Sequence, residues 1–359
     1  MADGRLLTRW RVELELLTPL HVGAGGPRLL AGYDFAVDGG EVWVLDIDRV
    51  LAHLPEAALA RALTGEPVAE LPRTAYAACA RYRLRLRGGG AALREILPCA
   101  RDVHERPYLP GSTLKGALRT ALAWQQASAA GRPLATQNLD KRSQFAARPL
   151  ERQLFGPDPH HDLLRALRVA DLTVVGEPAV ELTVAAVYSL RGGRLEPKGQ
   201  GFRWYLEALP AGTRLAGTLA LDEHLCRVRQ PDFGSQRAWL AQVARHCTAF
   251  ARALAQAEAR FYAEARLPAL AAFYDQLAKQ AASAASHEGL VQLGWGTGWT
   301  AKTLGLLLRA APDFPALVAR YRLDRGRNAG VFPKTRRLVE RGNTPEQPLG
   351  WARFALHAV

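Results

Sequence analysis

Residues 108–122 read YLPGSTLKGALRTAL, from Tyr108 to Leu122. Pro110 and Gly111 end an extended segment, and Ser112 or Thr113 is placed to cap the helix that follows. Leu114, Ala117, Leu118, Ala121 and Leu122 repeat at i, i+3, i+4, i+7 and i+8, which predicts one buried helical face. Lys115 and Arg119 fall four residues apart on another face. A tight turn would then present free backbone N–H groups, with two cations one and two turns behind. That arrangement suits phosphate. A capped amphipathic helix with two solvated cations has the same spacing.

Upstream, Arg9 to Thr18 alternates Trp10, Val12, Leu14 and Leu16 with Arg11, Glu13 and Glu15, a half-buried strand. It runs into PLHVGAGG, where Gly23, Gly25 and Gly26 free the backbone for close approach to a phosphate. His21 in that turn either touches a ligand or packs. Asp34 to Ile47 reads as a hairpin turning at Asp38-Gly39-Gly40. Asp48 is the candidate cap of a short helix over 49–53. Residues 55–87 read as helical with breaks at Pro67 and Pro72, and Gly88 to Gly90 as a flexible join. Residues 131–148 are polar and basic and read as a mobile loop.

Strands are expected over Leu167–Val175, Val180–Tyr188 and Phe202–Glu207. The tip between the last two, SLRGGRLEPKGQG, carries Arg191, Arg194 and Lys198 among glycines. A strand over Leu215–Leu221 follows EALPAGT. Residues 235–286 are Ala-rich and helical, broken near Pro268. Then comes a second glycine-rich element, GLVQLGWGTG, followed by WTAKTLGLLL. Read as extended, it puts Trp295, Thr297 and Trp299 on one side. Gly294, Gly296 and Gly298 are left as a bare backbone face. Lys302 and Thr303 open a predicted helix burying Leu304, Leu307 and Leu308. A P-loop is excluded because Ala301 stands before Lys302 where the motif needs glycine, and a dinucleotide fingerprint because position 299 is not glycine. Lys334, Arg336 and Arg337 form a basic cluster before a closing strand over Trp351–His357.

Net charge is +13, and of 47 basic residues 41 are Arg. Arg forks bind phosphate at two points and stack on bases, so a polyanion partner is favoured. A genome rich in Arg codons would give the same Arg bias but need not unbalance Arg against Glu. Cys79, Cys99, Cys226 and Cys247 form no CxxC pair and read as reduced. No metal or cofactor is expected, and His160-His161-Asp162 reads as a surface loop. No apolar run is long enough to span a bilayer and no signal-peptide layout appears, so a cytoplasmic location is expected.

Four phrases carry a resemblance: PLHVGAGG, PGSTLKGALR, EALPAGT and LGWGTGWTAKT. In this order they are similar to the RAMP superfamily, the RNA-binding subunits of type III CRISPR effector complexes. The late glycine phrase, then PKTRR, then PLGWA resemble the fifth subunit of the type III-A (Csm) complex. The resemblance implies an α+β chain with a ferredoxin-like (RRM-type) antiparallel βαββαβ core and large, mainly helical insertions. It implies a first part over 1–230, with a lid insertion at about 48–95 and a thumb hairpin at about 188–202. A second part over 231–359 would hold the helical insertion, glycine-rich loop and closing strand. It implies a non-catalytic scaffold at the end of the backbone filament, holding the 3′ side of guide RNA and supporting guide maturation and target RNA capture. Partners would be guide RNA, target RNA, other effector subunits and a separate trimming nuclease. The expected RNA-binding residues are His21, Gly23, Gly25, Gly26, Ser112, Lys115, Arg119, Arg191, Arg194, Lys198, Gly294, Gly296, Gly298, Lys302, Arg336 and Arg337. In the filament-forming paralogue of that family, which cuts target RNA, a loop after the first strand carries a reactive Asp; the nearest candidate here, Asp34, lacks that context, and the resemblance implies no nuclease role for it. The competing reading is a metal-independent endoribonuclease using His21 and His104.

Overall fold

The alternation in the first strand is realised over Leu7–Leu16, with Val12, Leu14 and Leu16 buried and Arg11 and Glu13 exposed. In the computed structural model, residues 6–64, 73–86, 93–129, 134, 136–228, 233–326 and 331–359 are described. The first strand is central to an antiparallel sheet. Arg214–Asp222 pairs on one side and Trp351–Ala358 on the other. Glu288–Gln292 extends the sheet beyond Trp351–Ala358, and Leu167–Val169 and Leu172–Val174 both pair with Arg214–Asp222. Taken in chain order, the four principal positions run 4-1-3-2 across the sheet. Helix Gly111–Ala129 falls in the chain between positions 1 and 2, and helix Val243–Glu264 between positions 3 and 4.

Both helices press on one face of that sheet. Leu114, Leu118, Ala121 and Leu122 meet Val12, Leu14, Leu16, Leu215 and Phe354 in the main core, together with Val243, Cys247 and Phe250. Val243–Glu264 and Pro268–Ser283 form a helical pair. Its second core stacks Tyr262 on Tyr274 at 5.4 Å and sets Trp351 edge-on to Tyr274. The break at Pro268 is a helix start with proline in the first turn, where its missing N–H costs nothing.

A second, mixed sheet runs Thr344–Gln347, Thr335–Arg341, Glu181–Arg191, Ala80–Leu86, Glu41–Leu45, Phe35–Asp38. Glu181–Arg191 and Ala80–Leu86 run parallel, with Glu181 opposite Arg85 and Leu182 opposite Leu86. Segments before and after residue 230 therefore share both sheets. The hairpin turn is Gly39-Gly40, both with positive φ, as a two-residue turn of this hand requires.

Several expectations are corrected. Asp46, not Asp48, caps the first helix, Ile47–His53, accepting from the Arg49 N–H at 3.2 Å. Within 55–87, helices occupy Glu56–Leu63 and Tyr76–Cys79, but Ala80–Leu86 is a strand. The expected breaks at Pro67 and Pro72 and the Gly88–Gly90 join lie outside the described residues. The strand predicted over Leu167–Val175 is divided at Ala170-Asp171. The polar loop after the long helix is docked. Thr136 donates to Asp313 at 2.5 Å, Tyr321 to the Asp140 carbonyl at 2.6 Å, and Arg148–Phe155 is helical. Lys302 closes a helix, Gly298–Lys302, rather than opening one, and the next is Gly305–Arg309. Among the described residues no helix is long and apolar enough to cross a membrane.

Candidate nucleic-acid interface

The two glycine-rich turns, far apart in sequence, meet at His21. The His21 carbonyl accepts from the Trp295 N–H at 2.8 Å, and the Pro19 carbonyl from the Gly350 N–H at 2.9 Å. A Cβ on Gly294 would lie 2.4 Å from the His21 carbonyl oxygen, so only glycine fits there. The His21 ring is 1% exposed. Its Nδ1 lies 2.7 Å from the Glu207 carbonyl, which only accepts, so Nδ1 carries the proton. Burial lowers its pKa, and the ring is neutral. His21 thus joins two turns and is closed to RNA. Gly23, Gly25 and Gly26 are exposed, and a Cβ on Gly25 or Gly26 would meet open space. The backbone at Gly25 and Gly26 is open to a ligand, while Gly23 bridges Cys99.

At the long helix, the sequence prediction of the cap is corrected. The Gly111 N–H donates to Asp171 at 2.7 Å, from a bend sixty residues on. A Cβ on Gly111 would lie 2.4 Å from the Val169 carbonyl oxygen. The Pro-Gly pair therefore lets the helix start press on the sheet, and the Asp171 carboxylate answers the helix dipole. Ser112 is exposed. Arg119 is held by Asp162 at 2.7 Å and lies 4.1 Å over the Phe155 ring. Lys115 is half-buried, and burial is the first cause lowering its pKa. Arg119→Ala is expected to lower stability by about 1 kcal/mol, a partly exposed pair. Lys115→Ala should leave the thermal melt unmoved; a loss of RNA affinity in a titration would make it a contact.

The third turn to consider is the hairpin tip. Glu181–Arg191 and Arg194–Pro197 pair, Arg191 directly opposite Arg194, around Gly192-Gly193. Both arginines are exposed. Lys198 lies 4.2 Å over the Phe202 ring. The tip's root opens onto a cleft of about 450 Å3. Arg191 and Lys198 line one side, Gly296 to Gly298 and Trp299 another, and Lys334 and Arg337 a third. Lys302 is nearby, since Arg337 is one cause of its lowered pKa, after burial. The cleft thus gathers cations that the sequence places in separate regions.

One expected contact in this region, Arg336, is held in the core. Arg336 has a side chain 10% exposed, forked onto Glu258 at 2.6 and 2.8 Å, and sits 3.8 Å over Phe261. Arg337, its neighbour on the strand, projects the other way. It is exposed, stands 5.1 Å from the Trp295 ring centre, and has no ion pair among the described residues. The late glycine loop is not extended. Gly294, Gly296 and Gly298 have φ of 74°, 88° and 86°. The loop therefore coils, and the two tryptophans part company. Trp295 packs on Trp204 at 5.4 Å, Trp299 on Phe332 at 4.9 Å. A Cβ on Gly296 would lie 2.7 Å from Leu349 Cδ1. Gly296→Val is accordingly expected to lower the melting temperature, and not to act on RNA binding alone.

The sequence reading missed Phe202, Trp204, Thr297 and Phe332 as cleft walls. Their signal was present as aromatic residues interleaved with the basic ones, but only the fold brings them together. Among the described residues no cluster of His, Cys, Asp and Glu could hold a metal. His104 is exposed, and its backbone N–H donates to Asp102 at 2.9 Å.

No curated protein sequence matches the chain. Among solved structures, it is similar to a chain of the Csm-crRNA-target RNA ternary complex of a type III-A CRISPR-Cas system. The identity is 23%, the TM-score 0.71, and the match covers 97% of this chain and 100% of that one. It is also similar to T. onnurineus Csm5, at 21% identity and a TM-score of 0.64, over 95% of this chain and 99% of that one. At these identities the likeness is one of fold. The sequence pattern of the RAMP superfamily matches residues 13–301, a span running from the first strand past the late glycine turn. By that match the chain belongs to the RAMP superfamily.

Proposed function

We propose that this chain is a non-catalytic, RNA-binding scaffold subunit of a type III-A CRISPR effector complex. In this reading it holds the 3′ side of guide RNA at the end of the backbone filament. There it supports guide maturation and target RNA capture. Its partners are guide RNA, target RNA and the other effector subunits, with a trimming nuclease as a recruited partner. The core is read as ferredoxin-like, supported by the 4-1-3-2 strand order and two helices on one face. Residues 48–95 are read as a lid and the 188–202 hairpin as a thumb, on parts spanning 1–230 and 231–359.

The observation that carries the reading is the cleft at the hairpin root. Arg191, Lys198, Lys334 and Arg337 converge there beside an accessible turn. Lys115, Lys302, Arg194 and the open backbone at Gly25, Gly26 and Ser112 are further proposed phosphate contacts. The enclosed His21 ring weighs against the ribonuclease reading, because a general base must reach the 2′-OH.

Binding to single-stranded RNA should be electrostatic. With about four phosphate contacts, raising salt from about 50 to 200 mM should weaken affinity roughly fiftyfold. A change under about twofold would reject the phosphate-contact account. For the catalytic question, the protein is incubated with guide precursor in EDTA and the RNA run on a gel. No product is expected, and a product lost in His104→Ala would make the chain an enzyme.

A further inference from the structure

The helices of the main core press on one face of the central sheet. Val12, Leu14 and Leu16 enter that core, so Arg11, Glu13 and Glu15 point the opposite way. A groove of about 740 Å3 runs over this second face and ends against the helix Pro268–Ser283, at Gln280 and Ser283. It shares no lining residue with the hairpin-root cleft. Its chemistry differs too. Three arginines, Arg11, Arg214 and Arg353, are matched by three glutamates, Glu13, Glu15 and Glu288. Arg353 pairs with Glu15 at 2.8 Å and Arg11 with Glu13 at 2.5 Å. Phe354, the one aromatic residue along it, is 3% exposed and belongs to the core. Single-stranded RNA calls for a positive track and rings on which bases stack, and this face has neither. Balanced charge of both signs suits a protein surface.

The floor is low and the two ends differ in charge. Ala216 and Ala355 flank Glu13 on the neighbouring strands. Glu288, opposite Ala355, stands at one end. Beside it the helix Pro268–Ser283 finishes with no basic residue in its last turn, so no side chain there offsets the negative end of its dipole. At the other end Arg214 is exposed without an ion pair among the described residues, and Val175 beside it is 58% exposed. From Glu288 to Arg214 the floor crosses four strands, about 14 Å at the usual spacing. A helix of about ten residues has that length, and its own dipole supplies a positive and a negative end. A second copy of this chain would set groove against groove and leave the space empty, whereas a helix fills it.

We propose that this groove docks one helix of another protein subunit, its N-terminal end toward Glu288 and its C-terminal carbonyls toward Arg214, with small apolar side chains on Ala216, Ala355 and Val175. The proposal rests on the reading of the chain as a subunit of an assembly, and it assigns protein docking to a face that the RNA reading does not use.

The test uses the full chain co-expressed with guide RNA and the other type III-A effector subunits. The photocrosslinker p-benzoylphenylalanine replaces Val175, whose exposure tolerates it. Irradiation of the purified complex is expected to join this position to a helical segment of one other subunit, mapped by mass spectrometry. Arg214→Glu should weaken entry of the chain into the complex about tenfold, and Arg214→Lys should restore most of it. Single-stranded RNA affinity of isolated Arg214→Glu should stay within about twofold of wild type. A crosslink to RNA, to a second copy, or to a strand or loop of a partner overturns the helix assignment. An assembled complex with no crosslink at Val175, or one that takes up Arg214→Glu as well as wild type, overturns the docking site and leaves the subunit reading standing. A wild-type chain that enters no such complex overturns the subunit reading, and the docking site with it.

Discussion

Glu207→Ala is expected to melt about 6 °C below the wild type, the largest effect of any single change considered. The Glu207 side chain is fully buried and accepts four hydrogen bonds from three groups. Tyr82 donates to it at 2.7 Å, the Cys99 N–H at 3.1 Å, and Arg101 through Nε and Nη2 at 3.3 and 3.1 Å. Arg101 in turn lies 3.7 Å over the Tyr82 ring. Removing the carboxylate leaves an enclosed guanidinium with no counter-charge, which costs about 3–5 kcal/mol. It also strands a phenol and an amide. At this chain length each kcal/mol moves the midpoint by roughly 1–1.5 °C. A shift under about 3 °C would show that the Arg101 charge finds water, and that the network is not a buried one.

Arg336→Ala and Arg337→Ala should behave as opposites although the residues are adjacent. Arg336→Ala abandons Glu258 in the second core, beside Tyr262 and Tyr274, and is expected to cost about 3–5 kcal/mol. Arg337→Ala removes an exposed cation and should leave the melt within about 0.5 kcal/mol of wild type. Its effect belongs to RNA affinity and to the salt slope, which should fall by about 0.7 if one phosphate contact is lost. Both variants are measured by thermal melt and by RNA titration at several salt concentrations. Equal melting points would mean that Glu258 relaxes toward water. An unchanged salt slope in Arg337→Ala would remove it from the interface.

That pair shows where sequence reading reaches its limit. Two arginines in PKTRR are indistinguishable along the chain, and a strand sends them to opposite faces. Which face is a core depends on a glutamate seventy-eight residues away. The same holds for the helix cap: Ser112 and Thr113 satisfy the local pattern, yet Asp171 arrives from the break between two distant strands. Where local periodicity decides, the reading stood. The first strand, the Gly111–Ala129 helix and the break at Pro268 each follow from spacing alone. Ala80–Leu86 was legible too, since Tyr82, Leu84 and Leu86 alternate with Arg81, Arg83 and Arg85. It lies at the end of the stretch over 55–87 that otherwise reads as helical. The glycine loop failed differently, because spacing cannot reveal the sign of φ.

The placement of the first strand has a consequence for synthesis. One edge is covered by Arg214–Asp222 and the other by Trp351–Ala358, where Arg353 reaches Glu15 across 338 residues of sequence. On a ribosome the strand waits through the 338 residues from Glu15 to Arg353 for its second neighbour. Through that interval a central strand stands as an open edge, ready to pair with the same strand on a neighbouring nascent chain. A partner that shields this edge during translation would raise soluble yield, and a stop before Trp351 would make the exposure permanent.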